Sequence, residues 1–389
     1  MNNSTKFAAK NLHDFFRSYQ KYLCRVNGCK IFSFLKGMIQ GRTVQMCEAG
    51  RIVEPKKTPK NFCEKISKIL RIIDYIAKIH LCKFRKRKFK YFIIDESDIQ
   101  RRYAKKIKAI EKVRDGSLGN NDGNGYPLIA VIGITVDGEY IPLILRRYIE
   151  IQKARIECVD DILKVFGPDH GAVWLLDRGF DDKKFMDLLL YNQQEFLIRL
   201  DRKGGERCLE VEDGERYTVS QLTAHMEKVG YRRVYLPKSR IEVSLIHYHS
   251  HGKKEPMALL TTLSPRSLKQ AKIIAKMYIT RWKIEDYLLF IKQRFNLEKM
   301  MVQLPENVDG VLVMTLIASH FVMKETFEME KSQLKVAFEW WRKRENATIC
   351  WSAVCRFYQY MFRNWEITPR NLRTSFPPPN PFQLQLFTL

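Results

Sequence analysis

Acidic residues, long apolar runs and metal-binding cysteine pairs are all scarce in this sequence. The chain shows no apolar run near the roughly 18 residues that a membrane-spanning helix requires. Its N-terminus, MNNSTKFAAK, lacks the apolar segment and cleavage site of a signal peptide. The sequence therefore predicts a protein that has no membrane partner.

The cysteines are dispersed and do not indicate a disulfide framework. There are nine in 389 residues, an odd number, so reduced thiols are expected. Cys24 with Cys29 and Cys350 with Cys355 share the spacing C-x(4)-C, but no neighbouring pair of His or Cys completes a zinc site. We expect no structural zinc.

Basic residues, by contrast, are abundant. Lys and Arg number 68 against 43 Asp and Glu, which gives a net charge of +25. Such an excess favours a polyanionic partner, because binding to a phosphate backbone releases counterions. With 45% hydrophobic residues, the chain can also bury a substantial core. A globular nucleic-acid-binding protein of two or three domains is predicted.

Residues 1–90 read as helical and end in a basic run. The pair Thr58-Pro59 is a typical helix start, and KFRKRKFK (83–90) has six basic residues among eight. The pattern fits a helical DNA-binding region with a basic linker, although a purely structural helical cap fits it nearly as well. The predicted phosphate contacts in the run are Lys83, Arg85, Lys86, Arg87 and Lys88.

From residue 91 the pattern changes to strands that alternate with helices. A short strand, YFIID, precedes a Gly- and Asn-rich loop, a hairpin at Asp137-Gly138, and two helix-strand units. This order predicts an α/β fold of the ribonuclease H-like type, a mixed five-strand sheet with helices on both faces. We expect 91–200 and 271–330 to form this domain, 201–270 a β-rich insertion, and 331–389 a helical region with a Pro-rich tail.

Three carboxylates are expected to meet in this fold. Asp95 and Asp177 each end an apolar strand, and Glu285 lies on a helix that would pack beside them. Three such groups make an all-oxygen site for Mg²⁺ or Mn²⁺, and two ions about 4 Å apart suit phosphodiester transfer. Asp98 is the alternative first carboxylate, since strand registers are uncertain by a residue or more.

The stretch YITRWKIEDYLLFIK (278–292) places four polar residues on one stripe. Tyr278, Arg281, Glu285 and Lys292 fall within roughly 60° on a single helix. A salt-bridged surface helix is the simple alternative. The spacing Y-x(2)-R-x(3)-E-x(6)-K resembles the signature of bacterial insertion-sequence DDE transposases of the hairpin-forming, cut-and-paste branch. IIDESDI and VWLLDRGFDD resemble that family's two aspartate strands, and the likeness spans about residues 90 to 325.

This resemblance implies a catalytic, metal-binding triad and a set of DNA contacts. The triad would be Asp95, Asp177 and Glu285, with two Mg²⁺ ions for which Mn²⁺ can substitute. The phosphate contacts would be Tyr278, Arg281, Lys292 and Arg178. The implied partners are double-stranded DNA, namely terminal inverted repeats and target DNA, and a second copy in a synaptic homodimer. The implied location is the bacterial cytoplasm, on the nucleoid.

One feature departs from the family pattern. Hairpin-forming relatives hold a flipped base against a Trp in the insertion, but no Trp lies between Trp174 and Trp282. Met257 stands near that place, with Tyr235 and Tyr248 as further candidates for packing on a base. Hairpin formation therefore has weaker support than cutting. A structure-specific nuclease on the same fold and an inactive DNA-binding derivative remain the alternative functions.

Overall fold

The computed structural model describes residues 3–71, 74–101, 110–115, 120–200, 207–237, 239–249 and 255–363. The predicted Pro-rich tail lies outside these residues. The α-helices are α1 Asn3–Gln20, α2 Arg25–Gly41, α3 Met46–Val53, α4 Pro59–Leu70, α5 Asp74–Cys82, α6 Ile151–Phe166, α7 Lys183–Tyr191, α8 Val219–Thr223, α9 Leu268–Ile279, α10 Lys283–Arg294, α11 Pro305–Glu328, α12 Lys335–Arg344 and α13 Trp351–Phe362.

The strands are β1 Phe89–Gln100, β2 Glu111–Asp115, β3 Asn120–Thr135, β4 Tyr140–Arg147, β5 Val173–Leu176, β6 Phe196–Arg199, β7 Cys208–Glu210, β8 Arg216–Thr218, β9 Val229–Tyr235, β10 Glu242–Tyr248 and β11 Met257–Thr261. At the centre of the sheet they run in the order β4-β3-β1-β5-β6. β3 pairs antiparallel with β1 and β4, whereas β1, β5 and β6 are parallel. This confirms the predicted ribonuclease H-like fold.

Alternating side chains of the central strands supply two cores, one on each face of the sheet. Tyr91 and Ile93 join the core that includes α9, α10 and α11. Phe92 and Ile94 join the core that includes α6 and α7. Because successive side chains of a strand point to opposite faces, the continuous apolar run of β1 is required by burial on both sides.

The sheet is larger than the five strands predicted. β11 pairs antiparallel with β6, with Leu260 opposite Ile198, and the sheet continues through β10, β9, β7 and β8. The described strands thus form one 11-stranded sheet. The edge of β6 would otherwise expose unpaired backbone groups, and the strands from 207 to 261 cover it.

Two further boundaries differ from the prediction. β1 does not end at Asp95 but continues to Gln100, because β3 pairs with it throughout, as far as Gly125 opposite Gln100. Much of the predicted Gly- and Asn-rich loop is therefore the start of β3, which also pairs with β2. A Cβ at Gly125 would lie 2.3 Å from the carbonyl oxygen of Ile99, so this close pairing requires glycine.

The N-terminal helices share their core with the C-terminal ones. Asn11 of α1 donates a hydrogen bond of 2.8 Å to Glu325 of α11, and Tyr358 of α13 bonds to the same carboxylate. His80 of α5 is buried and bonds to the carbonyl oxygen of Pro142 in β4 at 2.7 Å. These contacts attach residues 3–82 firmly to the rest of the protein.

The helical segment that contains α11 is apolar on all sides, a feature that the sequence pattern did not mark. The segment Pro305–Lys331 is long and apolar enough to cross a membrane by length and composition, with a mean hydropathy of 1.3. However, 83% of its most apolar window is buried inside the protein. An all-round apolar surface is expected of a helix at the centre of a core, and α11 packs against β4, α4, α5 and α13.

Candidate active site

The parallel pairing of β1 and β5 brings the first two carboxylates to one place. Ile93 lies opposite Leu175, so the same register two residues further on sets Asp95 level with Asp177. Neighbouring strands are about 4.8 Å apart. Asp177 follows the end of β5 directly and begins a 3₁₀ turn at Arg178–Phe180, as the sequence predicted for a strand-end carboxylate.

Asp95 is more buried than Glu285. Its side chain is 19% exposed and accepts a hydrogen bond of 3.2 Å from Nη1 of Arg281. Burial raises the pKa of Asp95 to about 6; the charge of Arg281 opposes this rise, and the charges of Asp177 and Glu285 add to it. Both other carboxylates therefore act electrostatically on Asp95.

Arg281 lies between two members of the triad. Its Nη2 donates to Glu285 at 2.5 Å while its Nη1 bonds to Asp95. The Arg281 side chain is only 3% exposed, whereas that of Glu285 is 56% exposed. A buried guanidinium, which stays protonated, thus neutralises the carboxylates from within the site.

Tyr278 completes this arrangement on the side of Asp177. Its hydroxyl donates a hydrogen bond of 3.1 Å to Asp177. Burial, together with the nearby charge of Asp177, raises the pKa of Tyr278 well above its ordinary value. The hydroxyl therefore keeps its proton and acts as a donor to Asp177.

The sequence predicted a single continuous helix for the signature stretch, but the structure interrupts it. α9 ends at Ile279, a 3₁₀ turn covers Thr280–Trp282, and α10 begins at Lys283. The adjacent β-branched residues Ile279 and Thr280 weaken α-helical propensity at this point. Tyr278 lies at the end of α9 and Arg281 in the turn that follows, and they reach Asp177 and Asp95 on the two neighbouring strands.

Lys292 contacts the alternative first carboxylate. Its Nζ lies 3.3 Å from Asp98, while Glu96, between the two aspartates, pairs with Arg155 of α6 at 2.5 Å. Asp98 is thus engaged at the far end of α10, and Asp95 is the residue on which both Asp177 and Glu285 act. This geometry supports Asp95 as the first member of the triad.

Within the basic run, Lys83 is directed into the protein and Arg87 is paired at the surface. Lys83 donates to Ser18 at 2.7 Å and lies 3.7 Å from the centre of the Tyr19 ring. Burial, and then the charges of Lys324 and Lys21, lower the pKa of Lys83 to about 7. Arg87 forms ion pairs with Asp137 and Glu139. The Lys83 side chain is therefore partly withdrawn from solvent, whereas the Arg87 side chain is 41% exposed and is paired with two carboxylates.

Arg85, Lys86 and Lys88 are exposed as well, and so is Arg178 beside Asp177. Lys88 precedes Asp95 by seven residues of extended chain, which corresponds to about 23 Å. Any DNA contact of the run therefore lies far along the sheet from the carboxylates, whereas Arg178 adjoins them.

The candidate base-packing residues of the insertion lie on neighbouring strands. Met257 is opposite Tyr248 in the pairing of β11 with β10. Met257 is half-buried and Tyr248 is buried. Tyr235, at the end of β9, is half-buried, and the Arg240 guanidinium lies 5.4 Å from its ring centre.

The donor set fits a hard divalent cation, but the donors are not drawn together. Asp95, Asp177 and Glu285 offer carboxylate oxygens alone, the ligands that Mg²⁺ and Mn²⁺ prefer. Among the described residues, no group of three His, Cys, Asp or Glu side chains is close enough to hold an ion. Arg281 explains this, because it bonds to Asp95 and Glu285 from between them.

A ribonuclease H-like sheet with carboxylates on two adjacent parallel strands and a following helix defines a class of nucleic-acid-cleaving enzymes. The family model described as "Transposase DDE domain" matches residues 92–321, more than half of the chain. The chain belongs to this family of transposases, which act on DNA and generally use divalent metal ions. No curated protein matches the chain significantly.

The sequence did not reveal what Tyr278 and Arg281 contact. The spacing of Arg281 and Glu285 allowed an i,i+4 salt bridge, which the structure contains. The bonds from Tyr278 to Asp177 and from Arg281 to Asp95 join residues 101 and 186 positions apart, so no local pattern could indicate them.

Proposed function

We propose that this protein is a cut-and-paste DNA transposase that cuts at terminal inverted repeats and joins the freed 3′-OH ends to target DNA. Asp95, Asp177 and Glu285 are its catalytic residues. The observation that carries this proposal is that two residues of the signature, Tyr278 and Arg281, bond to all three carboxylates. A structural salt bridge on a surface helix would have no reason to reach two buried strands.

Asp95, Asp177 and Glu285 would hold the metal, two Mg²⁺ ions or Mn²⁺ in their place. When bound, such ions activate an attacking oxygen and stabilise the leaving oxygen in phosphodiester displacement. A carboxylate that is expensive to ionise by itself, as the raised pKa of Asp95 indicates, is suited to a site completed by a cation.

In this proposal Arg281 binds either of two anionic partners, the carboxylates of the site or a phosphate of the DNA. Without DNA it neutralises Asp95 and Glu285. A guanidinium forms a strong two-pronged bond with phosphate, so a backbone phosphate entering the site offers it another partner. Arg281 then contacts DNA, as the family resemblance implies, and releases the carboxylates. DNA binding and metal binding are thereby coupled through one side chain.

The remaining DNA contacts follow from position and exposure. Tyr278 and Arg178 adjoin the carboxylates, and Lys292 lies further along α10 beside Asp98. All three would bind phosphates at the element's end. Arg85, Lys86, Arg87 and Lys88 are exposed and would bind DNA further away, with residues 1–90 as a DNA-binding region. The protein would act as a homodimer on paired ends in the bacterial cytoplasm, at the nucleoid. A hairpin intermediate would use Met257 in place of the missing Trp.

The experiment compares end binding, nicking and joining by the purified protein and its variants. DNA bearing the inverted repeats that border the gene is incubated with Mg²⁺ or Mn²⁺. Glu285→Gln should bind the DNA but neither nick nor join it. Asp286→Asn is the matched control, since Asp286 is next on the same helix and pairs with Lys283 at the surface; it should behave as the wild type.

Three outcomes would contradict the proposal. Normal nicking by Glu285→Gln would remove this residue from the site. Nicking by the wild type with no joined product under any condition would favour the structure-specific nuclease. DNA binding without any cleavage by the wild type would favour the inactive derivative.

A further inference from the structure

Three arginines meet behind α10, away from the carboxylates. Arg42 ends α2, Arg294 is the last residue of α10, and Arg356 lies on α13. The helix ends are joined by a hydrogen bond of 2.8 Å from Asn296 to the carbonyl oxygen of Arg42, and by one of 2.9 Å from Val44 to Phe295. Helix α13 packs against both α2 and α10, and Arg356 is close enough for its charge to act on Arg294.

No acidic residue compensates this cluster in the part of the chain that the structure describes. The Nε atoms of Arg42, Arg294 and Arg356 are all buried and have no hydrogen-bond partner, and none of the three side chains forms an ion pair there. Each side chain is half-buried, so solvent reaches it. Burial and the charges of Arg42 and Arg356 lower the pKa of Arg294.

The helix ends offset only part of the positive charge. Arg42 and Arg294 each lie at a helix C-terminus, which carries a partial charge of about −0.5. Two such ends neutralise about one of the three positive charges. About two remain, which exceeds the single negative charge of a backbone phosphate and is enough to attract that anion. Helix capping alone therefore does not explain three arginines at this point.

We propose that Arg42, Arg294 and Arg356 form an anion-binding site that takes a backbone phosphate of bound DNA. Guanidinium groups bind phosphate by paired hydrogen bonds. The buried Nε atoms of the three arginines have no hydrogen-bond partner among the described residues, so no protein acceptor competes for these groups there. The assignment of DNA as the source of the phosphate rests on the proposed function. The binding of a phosphate group by the three arginines does not rest on that function.

This site is separate from the catalytic one. Arg294 follows Glu285 by nine residues of α10, about 14 Å along the axis and about half a turn around it. Lys292, which follows Glu285 by seven residues, stays within about 20° of its direction. The arginines thus face away from the cut and would bind DNA outside it, next to the helices at both ends of the chain.

The test has two measurements, one for inorganic phosphate and one for the backbone phosphate of DNA. Thermal unfolding is measured in inorganic phosphate and in chloride at equal ionic strength. Binding of a duplex that bears the inverted repeat is measured by fluorescence anisotropy over a range of salt. The variants are Arg294→Gln and Arg356→Gln, with Arg233→Gln as the control because Arg233 is exposed and paired with Glu242 at 3.1 Å.

Phosphate should raise the melting temperature of the wild type and of Arg233→Gln, and raise that of Arg294→Gln and Arg356→Gln much less. The slope of log affinity against log salt should fall by about 0.9 in those two variants, the value expected for one lost phosphate contact. In phosphate-free buffer, Arg294→Gln should melt no lower than the wild type, because the substitution relieves repulsion among like charges. This last result verifies that the variant folds.

Other results would overturn the inference. Equal protection of all four proteins by phosphate, with unchanged salt slopes, would show that no anion site exists. Loss of protection without a change in slope would assign the site to free phosphate and overturn DNA as its ligand. If the wild type failed to bind DNA, the proposed function would be contradicted. The thermal measurement in inorganic phosphate would still show whether the anion site exists.

Discussion

Replacing Arg281 by Met should make the stability of the protein depend on divalent metal. The substitution keeps an apolar stem of similar length and removes the cation that bonds to Asp95 and Glu285. Losing one partner of a buried ion pair costs about 3 to 5 kcal/mol. Glu285 is 56% exposed and can be solvated, so mainly Asp95 contributes and the lower limit, about 3 kcal/mol, is expected.

Mg²⁺ should restore most of this loss. With Arg281 absent, the three carboxylates have no internal cation, and a bound metal takes its place. A ligand present at about 100 times its Kd stabilises the folded state by about 2.7 kcal/mol. Urea unfolding with EDTA and with increasing Mg²⁺ measures both effects. The DNA-free wild type should respond much less, because its own arginine occupies the carboxylates.

Arg155→Met is the matched control for this experiment. Arg155 is also a buried arginine bonded to a carboxylate of β1, Glu96, at 2.5 Å, but on the other face of the sheet. It should lose a similar amount of stability and regain none of it in Mg²⁺. An equal response of the two variants, or no response of Arg281→Met, would refute the role of Arg281 as the internal cation of the metal site.

Three further predictions concern the pKa of Asp95, the bond of Tyr278 and the charge of the whole protein. Asp95→Asn should be more stable than the wild type by up to about 3 kcal/mol above about pH 6. The pKa of Asp95 is raised from 3.8 to about 6 in the folded state, so the ionised carboxylate destabilises the fold and the neutral amide does not. This gain should disappear as the pH falls below 3.8, where the folded and unfolded states are both protonated; equal differences at about pH 8 and pH 4 would contradict it. Tyr278→Phe should lose about 1.5 to 3 kcal/mol in urea unfolding, as expected for a bond to a charged acceptor, and an unchanged midpoint would show that the bond to Asp177 is absent. End-DNA affinity should fall steeply between about 50 and 200 mM salt because the net charge is +25, and a flat profile would be inconsistent with phosphate binding.

The central strands and the position of Asp177 could be predicted because their signals are local. The apolar run of β5 and the helix after it are written in consecutive residues, and Asp177 lies directly between them. The true end of β1 could not be predicted, since its extension to Gln100 depends on pairing with β3. The pairing of β11 with the edge strand β6 could not be predicted either, because it joins segments about 60 residues apart.

The candidate site shows the same division. The sequence placed Tyr278, Arg281 and Glu285 on one side of a helix, and the structure keeps them together despite the 3₁₀ turn. It could not show that the helix aims its arginine at Asp95, because that depends on how α9 and α10 pack on the sheet. The arginine cluster behind α10 is a still stronger case, since Arg42 and Arg294 are more than 250 residues apart.

The central claim is that Asp95, Asp177 and Glu285 perform DNA cleavage and strand transfer, and Asp177→Asn tests it most directly. The change is nearly isosteric and leaves the basic surface intact, so folding and end binding should remain near those of the wild type. Nicking and joining of inverted-repeat DNA, measured on gels in Mg²⁺ and in Mn²⁺, should both fall by several orders of magnitude, because a neutral amide is a poorer ligand for a hard cation. Near-normal nicking by Asp177→Asn would contradict the account.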